Sequence, residues 1–298
     1  MAHTTEEKLQ MRIEQLEREV RDREADLAKF RDELIQANRR LEGMIHAISA
    51  ELKIAHTIQR TLVPTDFPNI PGFDFSTKFV PSSRSGGDYF DFFEHQDKFR
   101  FGIVLSSASA YGMSALLLSV LLKMTSKLEA RKGADPHLVV QAIAQEMLSE
   151  MEADSKTDLF YGLVDRRSYE LRFLRLGNVM AIHQPAETGE FQILEASGGP
   201  LEPNFKAPKE SKKIMLNAKD RVILFTRGIL ETTNARGETF GLEHVTRALL
   251  SAPKRGVHEL RNHLLYEAQK FSQGQEPPRD LTVLILEVKD KVIKLAKS

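Results

Sequence analysis

From Leu9 to Ile48 apolar residues recur every seven positions, and no other feature of the chain restricts its fold as tightly. With Ile13, Val20, Leu27, Leu34, Leu41 and Ile48 at heptad position a, position d holds Leu9, Leu16, Arg23, Phe30, Ala37 and Met44. Only Arg23 breaks the seam; no proline interrupts it, and Gly43 is its single glycine. A seam this narrow cannot be buried by one helix alone, so it predicts a coiled coil. In a parallel pair Arg12 faces Glu17 and Asp26 faces Arg31 of the other chain, whereas Glu19 against Glu24 is repulsive. The alternative, an antiparallel hairpin within one chain, asks for a second heptad run, and none is present. The expected arrangement is a homodimer sealed by Leu9, Ile13, Leu16, Val20, Leu27, Phe30, Leu34, Leu41, Met44 and Ile48.

The helical pattern continues in a shifted phase through Leu52, Ile58 and Leu62 and stops at "VPTDFPNIPGF", where prolines and a glycine break it. This places a domain boundary near Val63 to Gly72 and divides the chain into a coiled-coil and linker helix, 1–63, and a globular domain, 64–298. Beyond the boundary, β-type runs recur: "FDFSTKFV", "DYFDFFE", "FRFGIVLS", "DLFYGLVD", "LRFLRLG", "AIHQP", "RVILFT" and "LTVLILEV". Amphipathic helical stretches are expected at 112–130, 136–153, 242–251 and 257–272. Strands on both sides of a helical pair, with hairpin-like spacing elsewhere, predict an α+β fold with sheets packed against helices.

Composition excludes several partners. Lys plus Arg (42) balance Asp plus Glu (42), so no overall field draws nucleic acid or an anionic membrane. Without cysteine there are no disulfides, thiolate zinc sites or cysteine nucleophiles. The longest apolar stretch, "MSALLLSVLLKM", is too short to span a bilayer, which takes ~20 residues. The N-terminus is acidic and charged rather than apolar, so no signal peptide is expected. A soluble, cytoplasmic protein is expected, with no membrane insertion.

"SGGDYFDFF" at 85–93 sets a glycine pair and Asp88 at the start of a strand. Such a turn lets backbone approach a ligand and suits a hard cation, though Gly-Gly-Asp is also simply a good turn. Ser106 and Ser107 belong to no triad pattern, and the nine histidines show no His-x-x-x-His pairing.

The stretch "LKIAHTIQRTLVPTDFPNIPGFDFSTKFVPSSRSGGDYFDFF" resembles the entry into the catalytic domain of RsbU-like and SpoIIE-like phosphatases of the PPM (metal-dependent protein phosphatase) family. The resemblance continues through "DLFYGLVDRRSYELRFLRLGN", "GGPL", "LFTRGILETTNARGETFG" and "RDLTVLILEV", so it covers about residues 50–288. It implies an αββα sandwich of two antiparallel sheets flanked by helices, preceded here by the long coiled-coil helix. It also implies hydrolysis of phosphoserine or phosphothreonine by water between two Mn²⁺ or Mg²⁺ ions held by aspartates.

Carried over residue by residue, the family's metal site is degenerate in this chain. Asp88 retains the aspartate of Gly-Gly-Asp. The family's Asp-x-x-Gly-x-Gly is aligned with a serine-rich stretch that puts Ser106 at the ligand position and Ser109, Ala110 and Tyr111 at Gly-x-Gly. Thr-Asp-Gly becomes Thr226-Arg227-Gly228, and Asp-Asp-x-Thr becomes Arg279-Asp280-Leu281-Thr282. Asn178 departs from the relatives' Gly-His-Asn. One aspartate-to-serine and two aspartate-to-arginine changes shift the local charge by roughly five units where two dications would sit.

The resemblance therefore implies a pseudophosphatase with no cofactor, acting as a regulator in bacterial partner-switching, sigma-factor or stress signalling. Its expected partners are a STAS-domain anti-sigma antagonist, an anti-sigma kinase or an active phosphatase relative. The alternative is a residual phosphoserine/phosphothreonine phosphatase with an altered Mn²⁺ or Mg²⁺ set, drawing on Asp91, Asp158 and Asp280. Arg227 and Arg279 are expected either to pair with Asp88 and Asp280, replacing metal, or, with Asp280, to contact a phosphate or a partner's carboxylate.

Overall fold

The computed structural model describes residues 5–62, 64, 69–82, 87–109, 120–125, 134–149, 151, 155–253 and 256–289. Helix α1, Thr5–Leu62, is continuous, and the chain divides into two compact units at Lys53/Ile54. That division falls before the boundary expected at residue 63, because the helix continues past it and its last turns count with the second unit. Residues 63 and 65–68 of the expected linker lie outside the described residues, as does most of the helix expected at 112–130, of which 120–125 is helical.

The second unit contains two five-stranded sheets. Strands β1 (Phe73–Val80), β6 (Met180–Gln184), β7 (Gln192–Ile193), β9 (Arg221–Phe225) and β10 (Leu281–Val288) make one, in the order β1-β10-β9-β6-β7. The other is β2 (Asp88–Glu94), β3 (Arg100–Ala108), β4 (Thr157–Asp165), β5 (Glu170–Leu176) and β8 (Lys212–Met215), in that order. Every ladder within them is antiparallel.

Alternation sorts the side chains into layers. Phe90 and Phe92 of β2, Ile103 and Leu105 of β3, Leu224 of β9 and Leu284 of β10 share the core between the sheets. The outer face of the second sheet packs against helix α2 (Pro136–Leu148) through Tyr89, Val104 and Tyr161. That of the first packs against α4 (Gly241–Ser251) and α5 (Val257–Ser272), which follow the short helix α3 (Arg227–Glu231). The fold is the expected αββα sandwich. Its helix α2 starts where Asp135 caps the His137 amide and Pro136 occupies the first turn, a position that needs no donor. Among the described residues, no helix is long and apolar enough to cross a membrane.

Strands β7 and β8 and helix α3 were not legible in the sequence. With two, four and five residues they are too short to display a period.

Candidate functional site

Asp88 opens β2 on the same face as Phe90 and Phe92, so its carboxylate points between the sheets. There it meets the ends of β9 and β10. Its Oδ2 accepts hydrogen bonds from Thr226 Oγ1 at 2.6 Å and Thr282 Oγ1 at 2.7 Å, and the Ser107 hydroxyl adds a further bond. Thr226 Oγ1 in turn accepts the Thr282 amide, at 3.1 Å. Asp280 is tied to backbone: Oδ1 accepts from the Ser82 amide at 2.8 Å, and Oδ2 from the amides of Gly87 at 2.9 Å and Asp88 at 3.3 Å. At 1% exposure it offers no surface to a ligand, which removes it from the expected contact residues.

Burial, reinforced by the nearby Asp280 charge, pushes the Asp88 carboxyl up to about 7, against the partial compensation of the three hydroxyls. A raised folded-state pKa means that the folded protein holds this proton longer than the unfolded chain. Asp88 therefore contributes stability that is complete below 3.8 and is lost as pH rises through about 7. We expect stability to fall by a few kcal/mol between about pH 4 and pH 8 from this group, and Asp88→Asn to flatten the profile. Denaturant melts across that range measure it; an identical slope in the variant would refute it.

The serine expected at a ligand position is not in the site. Ser106 lies on the face shared with Val104 and Ala108, toward the helical layer, and its hydroxyl reaches the Tyr89 carbonyl at 3.5 Å. Its neighbour Ser107 is the strand partner of Asp88 and shares the inner face. A one-residue shift in alignment exchanges the two faces of a strand, and the tertiary register places Ser107 beside Asp88. Ser109 closes the strand by bonding Lys156, whereas Ala110 and Tyr111 lie outside the described residues.

The arginines also differ from expectation: they pair with other acids. Arg227, the first residue of α3, sets its Nε 3.7 Å from Asp158 Oδ2 and 4.0 Å from Glu231 Oε1. Arg279 donates from Nε to Glu231 Oε2 at 2.7 Å. Asp88 and Asp280, for their part, are bonded to hydroxyls and amides. Asp158 is 2% exposed, and its carboxyl is raised by burial despite the Asn178 amide and the charges of Arg227 and Arg279. The 3.7 Å separation is too long for a hydrogen bond, and among the described residues Arg227 Nε and Nη2 and Asp158 Oδ2 have none, so the attraction is Coulombic.

Two glycines permit this packing. A Cβ on Gly228 would lie 2.0 Å from the Asp280 carbonyl oxygen, and one on Gly177, where φ is +67°, 2.0 Å from Asp158 Oδ1.

The structure thus joins Asp88, Asp158, Arg227, Arg279 and Asp280, which sequence reasoning named, to Ser107, Thr226, Thr282 and Glu231, to which it gave no site role. Glu231 was detectable in principle, four residues after Arg227 on one helical turn. Asp91, considered for an altered metal set, points to the opposite face, where it accepts from Tyr89 Oη and the Phe92 amide, each at 2.9 Å.

A pair of hard dications needs several carboxylate oxygens turned toward a common opening. Here those of Asp88 and Asp280 are turned to hydroxyls and amides, and two guanidinium groups occupy the same neighbourhood. Among the described residues no three acids, histidines or cysteines converge as a ligand set. The donor set does not fit the two-ion arrangement.

A family profile described as Stage II sporulation protein E (SpoIIE) matches residues 97–289, a span that contains Ser107, Asp158, Arg227 and Arg279 but not Asp88. The chain is 23% identical over 202 residues to phosphoserine phosphatase RsbU of Bacillus subtilis strain 168, covering 68% of this chain and 60% of the relative. It thus spans about 60% of that relative's length. Among solved structures, the SiaA PP2C domain of Pseudomonas aeruginosa superimposes with a TM-score of 0.67 at 19% identity, covering 82% of this chain and 98% of that one. The PP2C phosphatase domain of Bacillus subtilis SpoIIE, with a fragment of its regulatory domain, gives 0.60 at 19% identity, covering 72% and 63%. These likenesses concern the fold.

Proposed function

The chain belongs to the SpoIIE family of PP2C-type phosphatase domains, and from that premise we propose that it is a pseudophosphatase, a regulatory member that binds signalling partners without hydrolysing phosphoserine. The observation that carries this reading is the ion-pair cluster of Asp158, Arg227, Glu231 and Arg279 beside Asp88. Fixed guanidinium charges provide internally the compensation that dications would otherwise supply, so the loops around the site are held without metal. No hydrolytic step is assigned to these residues.

The partners that suit such a domain are those of bacterial partner-switching: a STAS-domain anti-sigma antagonist, an anti-sigma kinase, or an active phosphatase relative. In this reading the protein is cytoplasmic, needs no cofactor, and dimerises through α1. The competing reading, a residual phosphatase with an altered Mn²⁺ or Mg²⁺ set, is weakened by the orientation of Asp91 toward the opposite face.

Calorimetric titration of Mn²⁺ into the full chain, with phosphate release from a phosphoserine peptide measured in parallel, tests the proposal. We expect no binding heat at millimolar metal, no released phosphate and a melting temperature unchanged by chelator. Micromolar binding with phosphate release that Asp88→Ala abolishes would overturn it in favour of the residual enzyme.

A further inference from the structure

Ten apolar seam side chains of α1, from Leu9 to Ile48, remain between 44% and 67% exposed in the single chain. Two features of this seam argue against a parallel pair when taken one at a time: a charged residue, Arg23, at a core d position, and a like-charged contact of Glu19 with Glu24. They fall at the same level of the helix. In a parallel, in-register coiled coil a d side chain packs beside the e residue of the facing helix at its own level, so Arg23 lies against Glu24 of the partner subunit. The g residue facing that same Glu24 is Glu19, which precedes Arg23 by four residues on its own helix, the spacing at which side chains meet.

Each Arg23 therefore sits between two glutamates, one from each chain, and the arrangement occurs twice by symmetry. The aliphatic stem of arginine can cover the core while its guanidinium reaches the flanking carboxylates. Within α1, Arg21 pairs with Glu17 at 3.9 Å and Arg31 with Asp32 at 3.3 Å. Among the described residues, Arg23 and Glu24 have no such partner, so both are available to a second chain. Pairing the same seam antiparallel puts Arg23 opposite Leu34 and brings Asp26 beside Glu33, without that compensation.

We infer that α1 is the interface of a parallel, in-register homodimer and that Arg23, clasped by Glu19 and by Glu24 of the partner subunit, is the polar layer that sets its register. A single buried polar layer is a known way to select register at some cost in stability. The inference rests on the dimer proposed above and adds its orientation and its specificity element.

The absence of native cysteine makes disulfide trapping direct. In the full-length protein, Ile13→Cys alone should cross-link nearly completely, as should Ile48→Cys alone. In an antiparallel pair the two Ile13 positions would be about 45 Å apart, at ~1.5 Å per residue. Arg23→Glu should weaken the dimer at least about tenfold, and adding Glu19→Arg and Glu24→Arg should restore it. Arg23→Leu should tighten it but allow a slipped register, seen as cross-links between Ile13→Cys and Val20→Cys chains.

A monomeric mass by light scattering would overturn the dimer itself. A dimeric mass in which Ile13→Cys links only to Met44→Cys chains would overturn the orientation. A dimer indifferent to Arg23→Glu would overturn the register layer while leaving dimerisation intact.

Discussion

Replacing Asp280 with alanine is expected to lower the free energy of unfolding by about 3–5 kcal/mol, the cost of stranding several buried polar groups at once. Its carboxylate accepts from the amides of Ser82, Gly87 and Asp88 and ties the β1–β2 connection to the start of β10. Alanine leaves those amides without their acceptor in a place water reaches poorly, since Asp280 is 1% exposed. Asparagine keeps one acceptor oxygen but turns an amide donor toward backbone donors, so it should recover only part of the loss. Because the Asp280 charge helps to raise the Asp88 pKa, Asp280→Asn should also move the Asp88-dependent fall in stability to lower pH. Urea denaturation at several pH values reads both effects. A loss under about 1 kcal/mol in Asp280→Ala would mean that the amides find other acceptors.

The second large effect is at Arg227. Its removal leaves Asp158 buried, with the Asn178 amide and the smaller contribution of the Arg279 charge to offset its desolvation. Arg227→Ala should cost about 3 kcal/mol, at the lower end for a broken buried pair because the ions are 3.7 Å apart and not hydrogen-bonded. Asp158→Asn in the same chain should recover most of it, since no uncompensated charge then remains. The double-mutant cycle, measured by chemical denaturation, isolates the coupling. Additive effects of the two substitutions would show that Arg227 stabilises through packing, and that the ion-pair cluster is not what holds these loops.

The two arginines also show where sequence reasoning reached and where it stopped. That arginines stand at 227 and 279, where the family resemblance leads one to expect carboxylates, was readable from the motifs around them, because a turn's residue types are local. Of their partners, Glu231 lies within one helical turn of Arg227, but Asp158 is 69 residues away and belongs to the other sheet, which the sequence did not reveal. That Ser107 rather than Ser106 faces Asp88 has the same origin. In a strand, neighbouring residues occupy opposite faces, and only the pairing of β2 with β3 tells which of the two serines shares the face of Asp88.

The long helix, the eight longer strands and helices α2, α4 and α5 were legible in the sequence itself, because each is either a helical or heptad period or a run of β-type residues long enough to be read. The balance of charges and the presence of Arg227 and Arg279 in their turns were likewise readable from the chain. Tertiary structure alone decided that Thr282 closes onto Asp88 from 194 residues away, that Asp280 is spent on backbone amides, and that Glu231 serves both arginines. Such contacts form where two sheets and the turns beyond their strand ends converge, and the register that brings them together is set by packing of the whole core, which no local stretch encodes.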